Sequence, residues 1–213
     1  PGTIIEEAAL RRQIALLAAA GTADRYETLA TQYLRRFPNS VYAGGFRQQF
    51  AVAIAVHTDA AEAGRLDRLQ SMLGGVAQSD RREVYLTIAK EAVAKGKVEM
   101  AKFAAANAAR LAEEASVERE RARLYEGAAL IVTEDFERGV EVLGAVERSR
   151  LDDGDAALLD AAVGVAGQMR RMPDLPDAEP PAAPGPTEAS QALAQARKTI
   201  AQVDDILSGA DRR

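Results

Sequence analysis

The sequence predicts an all-α fold. A body of stacked helical hairpins covers residues 1–172, a proline-rich acidic linker covers 173–187, and a C-terminal helix covers 188–213. Three observations predict it. Turn-forming clusters recur as Gly21-Thr22-Ala23-Asp24, Thr58-Asp59, Lys95-Gly96-Lys97 and Thr133-Glu134-Asp135, and positions 21, 58, 96 and 134 are 37, 38 and 38 residues apart. A second set of breaks falls between them: Pro38-Asn39-Ser40, Gly74-Gly75 with Gln78-Ser79-Asp80, Ser116, and Asp152-Asp153-Gly154-Asp155. Alternating breaks at a fixed period are what repeated helix–turn–helix units produce. Between the breaks, apolar residues are spaced by three and four, the helical period, and no run alternates as a strand does.

Each element follows from these stripes. Tyr26, Leu29, Tyr33 and Phe37 line one face of the second helix. Tyr42, Phe46, Phe50 and Ala53 line the third. Tyr125, Ala128 and Val132 belong to the seventh, and Phe136, Val140 and Leu143 to the eighth. Leu158, Ala162, Val165 and Met169 mark a ninth. A single amphipathic helix cannot bury such a face alone, so neighbouring units must cover it. Ser40 is expected to cap the third helix, Ser79 or Asp80 the fifth, Ser116 the seventh and Asp135 the eighth. The period lies between the roughly 34 residues of tetratricopeptide repeats and the longer helical repeats, so the body reads as a tetratricopeptide-like α-solenoid. Alanine, 45 of 213 residues, suits this reading because it has the highest helix propensity and lets helices approach closely.

Six of the eight prolines fall within 173–186. Pro180-Pro181 and Pro184-Gly185-Pro186 cannot continue a helix, which makes this stretch a semi-extended tether. Beyond it, Ala189, Leu193, Ala196, Ile200, Val203 and Leu207 alternate spacings of four and three, a narrow coiled-coil seam. A helix of about 22 residues is marginal in isolation. It is expected to dock on its own body or to pair with another chain, a possible homodimer contact.

Composition removes most chemistry. There is no Cys, which excludes disulfides, Cys-ligated metal and thiol catalysis, and the single His, His57, leaves no His cluster. A net charge of −5 argues against a nucleic-acid partner. The best apolar run, 50–56, is far short of the roughly 18–20 residues of a membrane span. No signal peptide is visible, and a chain that begins at Pro1 reads as a mature form or a cut fragment.

The remaining constellations read as structural. His57 ends the third helix, where the dipole favours a basic group; a base or pH-switch role is the alternative. Asp152, Asp153, Asp155 and Asp160 lack the alternating spacing of a calcium loop and read as an acidic turn opening a helix. Glu6-Glu7 and Glu113-Glu114 are adjacent on helices, so they point about 100° apart and read as solvated faces rather than as acid–base pairs. Glu118, Arg119, Glu120, Arg121 and Arg123 read as a charged face with local pairing. Arginine pairs at 11–12, 35–36, 81–82, 170–171 and 212–213 are interleaved with acids and read as solvated surface. Gly44-Gly45 lacks the spacing of a phosphate-binding loop. No catalytic, cofactor-binding or metal-binding residue is expected, no cofactor is implied, and protein-binding residues are not identifiable from this pattern.

One likeness is more specific. Gly2-Thr3-Ile4-Ile5-Glu6-Glu7-Ala8-Ala9-Leu10-Arg11-Arg12, followed by Tyr33-Leu34-Arg35-Arg36-Phe37-Pro38-Asn39-Ser40-Val41-Tyr42-Ala43-Gly44-Gly45-Phe46-Arg47, resembles the MotC family of periplasmic motility proteins of alphaproteobacteria. The strong likeness covers about the first 50 residues. It implies a periplasmic accessory of the flagellar motor that binds the periplasmic part of the stator protein MotB and supports rotation. Family members are longer at the N-terminus, so the chain would be a C-terminal part of one. No catalytic or binding residues come with the family. The alternative is a general cell-envelope adaptor or assembly factor of the same fold with another protein partner, and an enzyme is the least favoured reading.

Overall fold

A computed structural model describes residues 3–20, 23–58 and 60–171 of the chain. The expected linker at 173–187 and terminal helix at 188–213 lie outside the described residues, as do Gly21, Thr22 and Asp59 of the expected turns. Among the described residues there are nine α-helices and no strand: α1 (Ile4–Ala20), α2 (Ala23–Arg36), α3 (Ala43–His57), α4 (Arg65–Leu73), α5 (Gln78–Ala94), α6 (Val98–Leu111), α7 (Val117–Leu130), α8 (Phe136–Gly144) and α9 (Asp153–Arg171), with a 3₁₀ turn at Arg148–Arg150. Within the described residues, every expected break falls between two helices or at a helix start. The body is the stacked set of helical hairpins that the period predicts.

Successive helices pack on one another, α5 on α6, α6 on α7 and α7 on α8, and helices one unit apart also meet, α3 on α5, α5 on α7 and α2 on α4. The core is continuous from Leu10 and Ile14 of α1 to Leu159 and Ala162 of α9. At the early end it is aromatic. Tyr33 lies 4.0 Å from Phe46 and 5.4 Å from Phe37 between ring centroids, and Phe50 stacks at 6.2 Å from Tyr26. In the middle it is built on alanine. Ala101, Ala104, Ala105 and Ala108 of α6 are fully buried beside Ile88, Ala89 and Ala92 of α5. A methyl-sized contact face lets these two helices approach closely and bury area with little side-chain entropy cost.

Glycine does the same for the α7–α8 hairpin. A Cβ on Gly127 would lie 2.8 Å from Leu143 Cγ, and a Cβ on Gly139 would lie 2.8 Å from the Ile131 backbone nitrogen. The Lys95-Gly96-Lys97 turn ends α5 in a Schellman motif. Gly96 sits at φ +67°, its N–H donates to Val93 O (3.0 Å), and the Lys97 N–H donates to Ala92 O (2.9 Å).

The caps divide. Ser116 caps α7 as expected, its Oγ accepting from the Arg119 N–H. Asp135 sits at the cap position of α8 without a side-chain cap bond; Thr133 Oγ1 accepts from the Asp135 N–H instead. Ser40 does not cap α3, which begins three residues later, and Ser79 and Asp80 lie inside the first turn of α5. The outward turn of some stripe residues also differs from expectation. Tyr42, Val132, Val165 and Met169 are exposed. The buried face of α9 is Asp155, Ala156, Leu159, Ala162 and Ala166: Ala162 of the predicted stripe is buried, while Leu159 and Ala166 take the places expected for Leu158 and Val165.

Candidate protein-interaction surface

Three polar networks hold the repeats in register. Lys97, in the turn before α6, donates to the Val56 and Thr58 carbonyls at the end of α3 (2.5 and 3.2 Å). Carbonyls at a helix C-terminus lack intrahelical partners, and a lysine there satisfies them and the dipole together. Arg65 opens α4 and reaches Glu27 of α2 at 2.7 Å and Glu62 at 2.7 Å. Between α3, α5 and α7, Arg47 pairs with Asp80 (2.9 Å), Arg82 with Glu118 (2.8 Å) and Arg121 with Glu83 (3.3 Å).

Two acids have been drawn inward against the sequence reading. Glu7 is buried, not solvated, and its Oε1 accepts from the Tyr33 hydroxyl (2.6 Å) and the Ser40 hydroxyl (2.5 Å). Hydrogen bonds from Ser40 and then Tyr33, helped by the charge of Arg11, hold its carboxyl below the usual carboxylate range against the effect of burial. Burial, with the bond to Glu7 behind it, pushes the Tyr33 phenol up to about 12. Glu120 is buried as well, accepting from Arg123 (2.8 Å) and from the Glu147 N–H (3.0 Å). The Arg123–Glu120 pair is the expected local pairing, with Arg123 half-exposed, whereas Arg121 reaches Glu83 and Asp155 on other helices.

Asp155 is the deepest polar group. It is fully buried and accepts from Lys90 Nζ (2.8 Å), Arg121 Nε (3.0 Å) and the Tyr125 hydroxyl (2.8 Å). Burial pushes its carboxyl up, but the Lys90 and Tyr125 hydrogen bonds and the Lys90 and Arg121 charges outweigh that, and the net shift is downward. The other members of the aspartate cluster go elsewhere. Asp152 accepts from the Asp155 N–H (2.8 Å), Asp160 pairs with Arg148 (2.8 Å), and Asp153 is exposed. The group is a helix-opening turn and a buried clamp.

His57 is exposed at the end of α3, and Glu113 and Glu114 are exposed in the α6–α7 turn. Arg36 pairs with Glu6 (2.8 Å), and Arg170 pairs with Glu137. Arg212 and Arg213 lie outside the described residues. Among the described residues no group of three or more His, Asp or Glu could hold a metal ion. Among them, too, no helix is long and apolar enough to cross a membrane.

What remains is surface relief. A groove of about 420 Å³ runs between α1 and α3, floored by Tyr26, Phe46 and Phe50. Val41 and Tyr42 stand at its mouth, 91% and 47% exposed. A second hollow of about 360 Å³ between α3 and α5 is polar, with Arg47, Asp80, Glu83 and Thr87 around it. Sequence reasoning missed the groove because Arg11 and Tyr42 are 31 positions apart. It missed Glu7 and Asp155 because an acid buried by distant partners looks the same in sequence as an exposed one. One signal was present. Many inter-repeat polar contacts join residues one period apart, with separations of 36 for Arg82–Glu118, 37 for Gln70–Asn107 and 38 for Arg121–Glu83 and Arg65–Glu27.

A family model described as "Chemotaxis protein MotC" matches residues 1–212. The chain belongs to the MotC family. A MotC relative from Rhizobium meliloti (strain 1021), named "Chemotaxis protein MotC", is 37% identical over 174 residues, which cover 81% of this chain and 39% of that protein. The chain therefore spans about two fifths of the length of the curated relative it matches. No solved structure matches. The likeness first visible in residues 2–12 and 33–47 thus extends through a MotC match over almost the whole chain.

Proposed function

We propose that this chain is a non-catalytic protein-binding part of a flagellar-motor accessory in the periplasm, and that it engages the periplasmic part of the stator protein MotB to support motor rotation. The observation that carries the reading is the MotC-family match over residues 1–212. The architecture supports it. Stacked hairpins present long, rigid faces, and repeat proteins use such faces to hold other proteins. The polar groups at hand also support a scaffold. Among the described residues the buried acids are all engaged: Glu7 and Asp155 by side chains of other helices, and Glu120 by Arg123 of its own helix and the Glu147 N–H, which leaves none of them facing a cleft as a general base would.

Calorimetry tests the proposal directly. Titrating the periplasmic part of MotB into the purified chain is expected to give saturable binding in the micromolar range. No heat at high micromolar concentrations of both proteins would overturn the stator reading for this chain. A flagellated deletion strain that swims normally would overturn the motility role, and recovery of the native protein in a cytoplasmic fraction would overturn the periplasmic location.

A further inference from the structure

We infer that the groove between α1 and α3 is a docking site for a partner segment that presents a bulky apolar side chain beside an acidic one. The inference concerns the groove alone and stands whichever protein supplies the segment.

The depth of the groove is apolar. Ile14, Tyr26, Phe46 and Phe50 line it, and its volume of about 420 Å³ falls within the roughly 300–1,000 Å³ of built ligand sites. Its rim is positive. Arg11 is the one charged residue in the lining, on a chain whose net charge is −5. Its guanidinium lies 4.0 Å over the Tyr42 ring, a cation–π contact that fixes the group at the mouth without neutralising it. The Arg11 Nε is buried and meets no hydrogen-bond acceptor among the described residues. Glu7, one turn earlier, feels the charge of Arg11, but its Oε1 is taken by the Tyr33 and Ser40 hydroxyls, and no hydrogen bond joins it to Arg11. α3 starts at the same mouth with no acid in its first turn and no side-chain cap, so the positive end of its dipole adds to the charge of Arg11.

An apolar anchor would therefore enter between Phe46 and Ile14, and a carboxylate beside it would meet Arg11. A second copy of this chain fits less well. Two-fold pairing of groove on groove would bring Arg11 against Arg11, like charges opposed in a partly apolar setting.

The test uses the full chain and synthetic decapeptide pools with a central Phe or Leu, flanked by Glu in one pool and by Lys in the other, read by fluorescence anisotropy. The Glu pool is expected to bind about tenfold tighter, as one charge-assisted hydrogen bond implies. Arg11→Gln is expected to remove that preference. Gly45→Met is expected to abolish binding of both pools. Gly45 lines the groove, nothing lies within 4 Å of a Cβ built there, and replacing a helix glycine favours the fold, so this variant blocks the mouth without unfolding the chain. Equal binding of the two pools, no binding of either at millimolar concentration, or Glu-pool binding unchanged in Gly45→Met would each overturn the inference. So would a dimer in sedimentation that disappears with Gly45→Met, since a second copy would then be the occupant. Loss of the pools in Gly45→Met with MotB binding retained supports the groove and moves the stator contact elsewhere. Pool selectivity without MotB binding removes the stator proposal and supports the groove.

Discussion

Replacing Asp155 with Ala removes an acceptor that serves three donors from two other helices. The donors do not suffer equally. The Lys90 side chain is 42% exposed and can return to water. Arg121 keeps Glu83 at 3.3 Å. The Tyr125 hydroxyl is fully buried and would keep Arg121 beside its oxygen but lose the acceptor for its proton, at a cost of about 1–3 kcal/mol. Breaking a buried ion pair from one side costs about 3–5 kcal/mol, and the partial exposure of Lys90 places this case at the low end, about 3 kcal/mol. That is a large share of a total stability of about 5–15 kcal/mol and corresponds to a Tm lower by roughly 6–12 °C. Urea titration at pH 7 reads it. Asp155→Asn keeps an acceptor for Tyr125 and should lose less. Lys90→Ala should stay within about 1 kcal/mol, because that partner is half in water. The acid limb has a definite sign. A carboxyl held below its ordinary value contributes its full stability above that value and loses it as pH falls through the lowered one. The gap between the native chain and Asp155→Ala should therefore close below about pH 4. A loss under about 0.5 kcal/mol at pH 7, or Lys90→Ala costing as much as Asp155→Ala, would refute the reasoning.

Three other outcomes follow from the same geometry. Gly139→Ala forces a Cβ to 2.8 Å from the Ile131 backbone and should cost about 1–3 kcal/mol in urea titration, whereas Gly164→Ala, with open space around it, should be neutral or stabilising by up to about 1 kcal/mol. Ser116→Ala should cost about 1 kcal/mol through the lost α7 cap; Ser79→Ala, inside the first turn of α5, should cost far less by the same measurement. The lowered carboxyl of Glu7 contributes stability above the ordinary glutamate value and loses it as pH falls through the folded value, so Glu7→Gln should flatten the acid limb of a stability-against-pH curve.

How far the fold was legible follows from which residues carried the signal. Breaks such as Lys95-Gly96-Lys97 are local: the left-handed residue, the Schellman bonds and the next helix start all lie within a few positions, so sequence displays them. The cap at Ser116 is local too. The buried face of α9 was legible only in part: Ala162 is buried as expected, but hydrophobicity ranks Val165 and Met169 above Ala166, which is the one that packs. Burial there follows which face meets the common core, not the size of the side chain. Glu6 and Glu7 show the same limit. They are adjacent and chemically alike, yet Glu6 meets Arg36 at the surface while Glu7 meets Tyr33 and Ser40 inside.

The amino-acid order by itself determined the helices, their breaks, the period of about 38 residues and the kinship with MotC, since each is written in near-neighbour spacing or in contiguous motif. Only the tertiary structure decided which acids are buried, which face of α9 packs, and where Arg11 and Tyr42 meet at a groove. The physical reason is range. Turns and helix periodicity depend on interactions over a few residues, whereas a buried carboxylate or a groove exists only when donors and walls from helices a repeat or more apart are brought to the same place.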